Sequence, residues 1–366
     1  MKVLFVDLER EWRGGQSQAF LTLRGLREKG HSAELLTARH SPLAQRVAAL
    51  QIPTHQVSRL GLRAWAAIAL RRLIAKGGFD LVHLNEPHGV TAAWMTGAES
   101  RLPLLFSRRI GFPLQKNWIS RRRFRAVNRF LPNCKEVAQS LLDAGIARER
   151  MSIVYEGVEL QPPLTAEMRE NARKHWGIGD NDFLFGCTSV FVPEKGQRHL
   201  IDALAEVRAK CPGARLLLAG DGRCRAKLEA LSRKFGQDSA VIFAGFVENV
   251  NQVYAALDAF VFPSEFEGTG TALQAAMAWG LPCVSTARGG LKEVVDDERT
   301  AIVVEPSGKE FAAAMLRLLG DVGLREKLGN AGRREIETRL SVEHMVENTI
   351  RVYEDVLRTW RPHEKS

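Results

Sequence analysis

The sequence predicts an α/β protein made of two βα domains, each a doubly wound parallel sheet with crossover helices. Three observations carry this. Short apolar runs alternate with longer amphipathic stretches along the whole chain, the pattern of parallel strands joined by helices. The pattern breaks once, at ELQPPLTAE (159–167), where a Pro-Pro pair separates two periodic regions. Finally, 366 residues are enough for two domains with separate cores.

In the first half the expected strands are VLFVD (3–7), AELLTA (33–38), DLVHL (80–84), LPLLFS (102–107), RFLPN (129–133) and SIVYE (152–156). Between the first two, SQAFLTLRGLREKG (17–30) puts Ala19, Phe20, Leu23 and Leu26 on one helical face, with Gly30 as its C-cap. The second half restarts with FLFGCTSV (183–190), ARLLLAG (214–220), AVIFAG (240–245), AFVFPS (259–264), PCVST (282–286) and AIVVE (301–305). Amphipathic helices over 309–319, 323–339 and 342–360 close the chain. Ligands of such sheets bind beyond the carboxyl ends of the strands, so the expected site is a cleft where two domains face each other.

Composition removes other classes. With 45% apolar and 26% charged residues the chain is neither disordered nor collagen-like. It has no apolar run of about 18 residues, so no transmembrane helix is expected. The start, MKVLFVDLER, reaches Asp7 after only five apolar residues and reads as a first strand rather than a signal segment. The five cysteines (134, 187, 211, 224 and 283) are widely spaced with no C-x-x-C, so neither a metal cluster nor a disulfide framework is expected. The expected compartment is the cytoplasm. The net charge of +10 is uneven: residues 1–160 carry 25 Lys and Arg against 13 Asp and Glu, residues 161–366 carry 27 against 29. The first half therefore faces a polyanion or an anionic surface.

Several turns have phosphate-binding chemistry. Arg13-Gly14-Gly15-Gln16 follows the first strand and opens a helix, where backbone N–H groups and the helix dipole favour an anion. A plain tight turn explains the pair equally well. Pro193-Glu194-Lys195-Gly196 offers a lysine at another helix start, against a solvated surface lysine as the alternative. The most informative segment is 261–295, where a strand runs into Pro263-Ser264, then Glu267-Gly268-Thr269-Gly270-Thr271 and a helix. Gly268 and Gly270 free the backbone to wrap a phosphate. A carboxylate beside a diphosphate is repulsive, so Glu267 makes sense as an acceptor for the hydroxyls of an attached sugar.

The combination of GG after strand one, PEKG, PS-x-x-EG-x-G before an AMA helix, then GLP, GG and EVV resembles glycosyltransferase family 4, retaining enzymes of GT-B fold. The resemblance implies two Rossmann-like domains facing across a cleft: an acceptor-binding domain over 1–160 and a nucleotide-sugar-binding domain over 161–340. The last helix, within 341–366, would cross back to the first domain. It further implies that Lys195 holds the donor diphosphate and that Glu267 contacts the donor sugar. The amides of Gly268, Thr269, Gly270 and Thr271 would cradle phosphates or sugar, while Gly14 and Gly15 let a loop approach the diphosphate. VIFAGF (241–246), with Phe243 and Gly245, matches the strand and turn that hold the base. No metal and no cofactor are implied; the nucleotide-diphosphate sugar is the substrate.

Three positions depart from the family pattern. Ala275 stands where a second glutamate usually holds the ribose, Val190 where a basic residue usually assists the lysine, and Arg109 where a histidine usually lies near the donor sugar. Arg109, with Arg13 and Arg108, could restore the missing positive charge, which makes Glu267, Lys195 and Arg109 the expected catalytic set. Arg13, His83, Glu86, His88 and Arg108 are the expected acceptor contacts, the middle three as a polar cluster after DLVHL, although a lone strand histidine is more often a satisfied core residue. The segment 116–125, from Lys116 through Trp118, Ile119 and Phe124 to Arg125, interleaves cations and aromatics. It fits an anionic membrane surface or an anionic acceptor, or else a solvated helix face. With no nucleic-acid module beside it, nucleic acid is not an expected partner. The expected activity is transfer of a sugar to a glycan or lipid-linked acceptor in envelope polysaccharide or lipopolysaccharide synthesis. The alternatives are a protein that binds nucleotide or glycan without turnover and a nucleotide-sugar epimerase.

Overall fold

The computed structural model describes residues 1–109 and 117–361. The chain divides into two compact units, Met1–Gly157 with the chain from Val342 onward, and Val158–Ser341. The first holds strands β1 (Lys2–Asp7), β2 (Ser32–Ala38), β3 (Thr54–Val57), β4 (Leu81–Leu84), β5 (Leu104–Arg108) and β6 (Arg129–Pro132). The second holds β7 (Phe183–Thr188), β8 (Ala214–Ala219), β9 (Val241–Gly245), β10 (Ala259–Phe262), β11 (Cys283–Ser285) and β12 (Ile302–Val303). The sheets run β3-β2-β1-β4-β5-β6 and β12-β11-β10-β7-β8-β9, all pairs parallel. Renumbered within its own unit, the second order is the first: the doubly wound topology occurs twice. Each reverses direction at one place, between β1 and β4 and between β7 and β10, and such a switch point is where ligands bind.

The central strands are apolar on both faces because helices cover both. Val3, Leu4, Phe5 and Val6 are fully buried, as are Leu216, Leu217 and Leu218. All six strands expected in the second half are present. The first half differs twice. β3 was not expected: THQV has one strongly apolar residue, but it lies at the sheet edge, where polar side chains are tolerated. Conversely, SIVYE forms no strand. Ser152 and Val154 donate to the carbonyls of Phe130 and Pro132 (2.9 and 3.0 Å), but Pro132 has no N–H to return a bond, so the ladder stops at β6.

The final helix, Val342–Thr359, belongs to the first unit. It buries Met345, Val346, Tyr353 and Val356 against Leu21, Leu26, Leu81 and Leu105. Gly25, inside the helix Gly14–Glu28, permits this approach: a Cβ there would lie 2.3 Å from Val346. Among the described residues no helix is long and apolar enough to cross a membrane.

Candidate functional site

The second unit builds its site at the β7/β10 switch point. β7 leads to the turn Pro193–Lys195 and the helix Gln197–Lys210; β10 leads through Pro263 to Glu267 and the helix Thr271–Ala278. Lys195 Nζ donates to Glu267 Oε1, both side chains being largely buried. Backbone contacts fix this pairing. Gly196 (φ +66°) packs so closely that a Cβ would sit 2.3 Å from the Pro263 carbonyl, and Glu265 N donates to Glu194 O at 2.8 Å. Gly289 holds the other side, its Cβ position 2.1 Å from the Glu267 carbonyl. Gly270 (φ +64°) starts the helix Thr271–Ala278 with no side-chain cap, leaving its first N–H groups for a ligand. Fully buried Gln274 holds the loop from behind, donating to Thr269 O at 2.9 Å.

Phe243 and Gly245, expected around the base, lie on β9, the edge strand beyond β8. Phe243 on β9 meets Phe191 edge-on at 6.4 Å, and Gly220 N donates to Gly245 O at 2.7 Å. Val190 is half exposed, so its apolar side chain replaces a cation without becoming core. Ala275 lies in the helix Thr271–Ala278 and offers no acceptor.

The first unit's switch point is organised differently. Buried Asp7, the last residue of β1, accepts from Gln16 Nε2 (3.0 Å), Asn85 Nδ2 (2.5 Å) and Glu9 N (3.0 Å). Asn85 Oδ1 accepts from Arg109 Nη1 (2.7 Å), and Arg109 Nε pairs with Glu156 at 3.2 Å. Burial raises the Asp7 pKa above the ordinary carboxylate value despite these donors, and burial lowers that of Arg109 against the pull of Glu156. Gly15 is the exception to all this contact: a Cβ there would meet nothing within 4 Å.

Two of the expected acceptor contacts, His83 and Glu86, are engaged by partners within the protein. His83 stacks on Phe5 at 4.4 Å, and its ring nitrogens engage the Tyr353 hydroxyl and Ser107 Oγ (2.8 Å). Burial, then the Arg109 charge, pushes its pKa down to about 3. It ties the final helix to β4 and β5 and is not offered to an acceptor. Glu86 is the N-cap of the helix Pro87–Thr96, accepting from the amides of His88, Gly89 (2.7 Å) and Leu8 (3.2 Å). Burial and nearby Asp7 push its pKa up to about 8. Arg109 serves the Asn85–Glu156 network rather than standing free. Arg13 and His88 remain accessible, Arg13 beside Glu11 (2.9 Å) and His88 accepting from Arg63 Nε (3.0 Å). Arg108, at the end of β5, is partly buried.

Lys116 lies outside the described residues. In the helix Trp118–Arg125 the aromatics separate: Trp118 is 68% exposed, whereas Phe124 is buried against Phe106 and Phe130. Phe124 is therefore core and not part of a surface anchor. Asp7, Gln16, Glu156 and Tyr353 were not singled out beforehand. They meet their partners only through the fold, and the one local signal was an acid closing an apolar strand.

Comparison with known proteins bears on both units. Residues 12–162 match the domain described as Glycosyltransferase Family 4, and residues 182–321 match Glycosyl transferases group 1. A GDP-mannose-dependent alpha-(1-6)-phosphatidylinositol monomannoside mannosyltransferase of Mycolicibacterium smegmatis is 28% identical over 336 residues, 88% of this chain and 83% of the relative. A GDP-mannose-dependent monoacylated alpha-(1-6)-phosphatidylinositol monomannoside mannosyltransferase of Corynebacterium glutamicum is 34% identical over 195 residues, and the chain spans half the length of that relative. Among solved structures, Anabaena HepE in complex with UDP and glucose superposes with a TM-score of 0.84 at 20% identity, covering 97% of this chain and all of that one. The repeated six-stranded topology is thus that of the GT-B fold, and the chain belongs to the family 4, group 1 glycosyltransferases.

Proposed function

We propose that this chain is a retaining glycosyltransferase that moves a sugar from a nucleotide-diphosphate sugar to a glycan or lipid-linked acceptor. The observation that carries the reading is the Lys195–Glu267 pair at the β7/β10 switch point, beside the uncapped start of the helix Thr271–Ala278. In the reaction the bond between the anomeric carbon and the diphosphate oxygen breaks, and its electron pair stays on the diphosphate. The acceptor hydroxyl oxygen bonds to the same face of that carbon, and its proton passes to the leaving phosphate. Lys195 and the 268–271 amides stabilise the growing negative charge, an electrostatic contribution of the kind that dominates many enzymatic rate enhancements. Glu267 accepts from the sugar hydroxyls while Lys195 turns to the diphosphate. In this reading the fixed positive groups take the part a metal would play, and chelation leaves turnover unchanged.

The first unit holds the acceptor. The helix Trp118–Arg125, with exposed Trp118 and Ile119 among arginines, supports contact with an anionic membrane surface. A cytoplasmic, peripheral enzyme of envelope polysaccharide or lipopolysaccharide synthesis fits these features. Ala275 and Val190 favour a second reading, binding without turnover, because each removes a polar ligand from the nucleotide.

Calorimetric titration with UDP, GDP, ADP, dTDP and CMP separates the readings. We expect one nucleoside diphosphate to bind and Lys195→Ala to weaken it about tenfold or more, the loss of a charged hydrogen bond. The sugar nucleotides of that base are then tested for transfer. Binding by none overturns the donor site, and binding with neither transfer nor hydrolysis selects the non-catalytic reading.

A further inference from the structure

The first unit contains a second feature that the donor chemistry does not explain. An open cavity of about 610 Å³ lies beyond the carboxyl ends of β1, β3 and β4. Arg10, Arg13, Arg59 and Arg63 line it, with His88 beside them, against the carboxylates of Glu9 and Glu11. Arg10 Nη2 donates to the Arg59 carbonyl (2.7 Å), and Arg59 donates to the carbonyls of Arg39 (2.9 Å) and His40 (3.0 Å). Arg63 Nε donates to His88 Nδ1 at 3.0 Å. Carbonyls and a ring nitrogen position Arg10, Arg59 and Arg63 without neutralising them, whereas Arg13 is paired with Glu11.

The helices around the cavity break a local rule in the same direction. Three of them begin at this edge, Gly14–Glu28, Leu62–Lys76 and Pro87–Thr96, and none has an acidic residue in its first turn. The first two also lack a side-chain cap. Arg13 is the N-cap of one, and Arg63 and His88 sit in the first turns of the others. A cation at the positive end of a helix dipole opposes it. Arg13 is offset by Glu11 and the Pro87–Thr96 helix by its Glu86 cap, which leaves Arg63, held by His88 Nδ1, as the cation set against a helix dipole, a local cost of the kind expected at a ligand site. Burial, with the charges of Arg63, Arg123 and Arg10, lowers the His88 pKa, so the imidazole stays neutral and accepts from Arg63. Glu9, Glu86 and His88 do bring ligand atoms within 4.8 Å of one another. The Glu86 oxygens already accept from three amides, however, and arginines face the ring, so the surroundings oppose a cation.

We propose that this cavity binds a phosphate group carried by the acceptor, making the substrate a phosphorylated glycan or the phosphate-bearing head of a lipid. The inference rests on the glycosyltransferase reading for the word acceptor, but the anion site stands on the first unit alone. Arg63 and Arg10 supply the forked donors that suit phosphate oxygens, and the helix starts supply further N–H groups. A volume of about 610 Å³ falls in the range of small-molecule sites and so accommodates a sugar with its phosphate.

The test uses the full chain and three probes: glucose 6-phosphate, glycerophosphoinositol and unphosphorylated glucose. Calorimetric titrations are run on the wild type, Arg63→Gln, Arg10→Gln and Lys195→Ala. We expect one or both phosphates to bind and glucose not to. Arg63→Gln and Arg10→Gln should each weaken binding about tenfold or more, and added salt should weaken it further. Lys195→Ala should leave it unchanged, while nucleotide binding follows the opposite pattern. Tighter binding of the monoester points to a phosphorylated glycan, tighter binding of the diester to a lipid head. Binding that tracks Lys195 instead of the arginines, equal binding of glucose, or no phosphate binding overturns the inference. Phosphate binding without nucleotide binding would retain this site and sink the donor site, so the two failures are distinguishable. Circular dichroism of each variant guards against loss of folding, and retained nucleotide binding in Arg63→Gln serves as a second control.

Discussion

The two units share one strand order and place their sites at equivalent switch points, yet they hold them by different means. The second relies on backbone against backbone. Gly196 and Gly289 come so close to the Pro263 and Glu267 carbonyls that a side chain would not fit, and the Lys195–Glu267 pair is locked between them. The first relies on buried side chains. Asp7, Asn85, Arg109 and Glu156 form a connected polar network under the helix start that carries Gly14 and Gly15. Removing a side chain should therefore damage the fold of the first unit and the ligand binding of the second.

Arg109→Ala breaks this contrast most forcefully. It takes the guanidinium away from the buried Glu156 carboxylate and from Asn85 Oδ1, a loss of about 1–3 kcal/mol for breaking buried hydrogen bonds to a charged group. Calorimetry should show the transition of the first unit falling well below that of the second, with nucleoside diphosphate still bound by the second. An unchanged melt with lost turnover would instead return Arg109 to the donor chemistry.

The pH dependence is smaller, and two buried groups of the first unit, His83 and Glu86, shape it between pH 3 and 8. His83 has its pKa held near 3, below the ordinary 6.5, so its contribution is present above 6.5 and lost as pH falls towards 3. Glu86 has its pKa raised from 4.5 to about 8, so its contribution is present below 4.5 and lost as pH rises through 8. Between 4.5 and 6.5 the two slopes oppose each other, which predicts a plateau with a fall on either side. Each limb is at most about 1.4 kcal/mol per pH unit, the value of one proton. Thermal midpoints from pH 3 to 9 should lose the acid limb in His83→Gln and the alkaline limb in Glu86→Gln. Limbs that persist in both variants would mean that other groups set the profile.

The same contrast explains what could be read from the sequence. Glycines required by close backbone approach are visible as short motifs after strands, so PEKG and EG-x-G marked the two turns that the fold brings together, and both domains followed from the alternation of apolar runs. A side-chain network has no such motif. His83 meets Tyr353 and Asp7 meets Asn85 only because the topology brings distant strands and the final helix together. β3 escaped notice because an edge strand needs few apolar residues, and SIVYE misled because Pro132 cannot donate. The arginines of the first cavity come as two close pairs, Arg10 with Arg13 and Arg59 with Arg63, and only the fold brings the two pairs together.

The smallest expected effect is also the most discriminating for Gly15. Around Gly196 or Gly289 the protein itself forbids a side chain, whereas a Cβ on Gly15 would meet nothing within 4 Å. Gly15 lies in the first turn of a helix, where alanine is the better helix former, by up to about 1 kcal/mol in a helix interior. Gly15→Ala should therefore leave the melting temperature of the first unit unchanged or raise it slightly. If the open space is there for a ligand, the same methyl group should lower the rate of sugar transfer. A variant both more stable and fully active would show that the glycine pair is only a turn, leaving the second unit to bind the donor unaided. A variant that is more stable but slower would place the space above Gly15 in the reaction, because no contact within the protein would account for the loss.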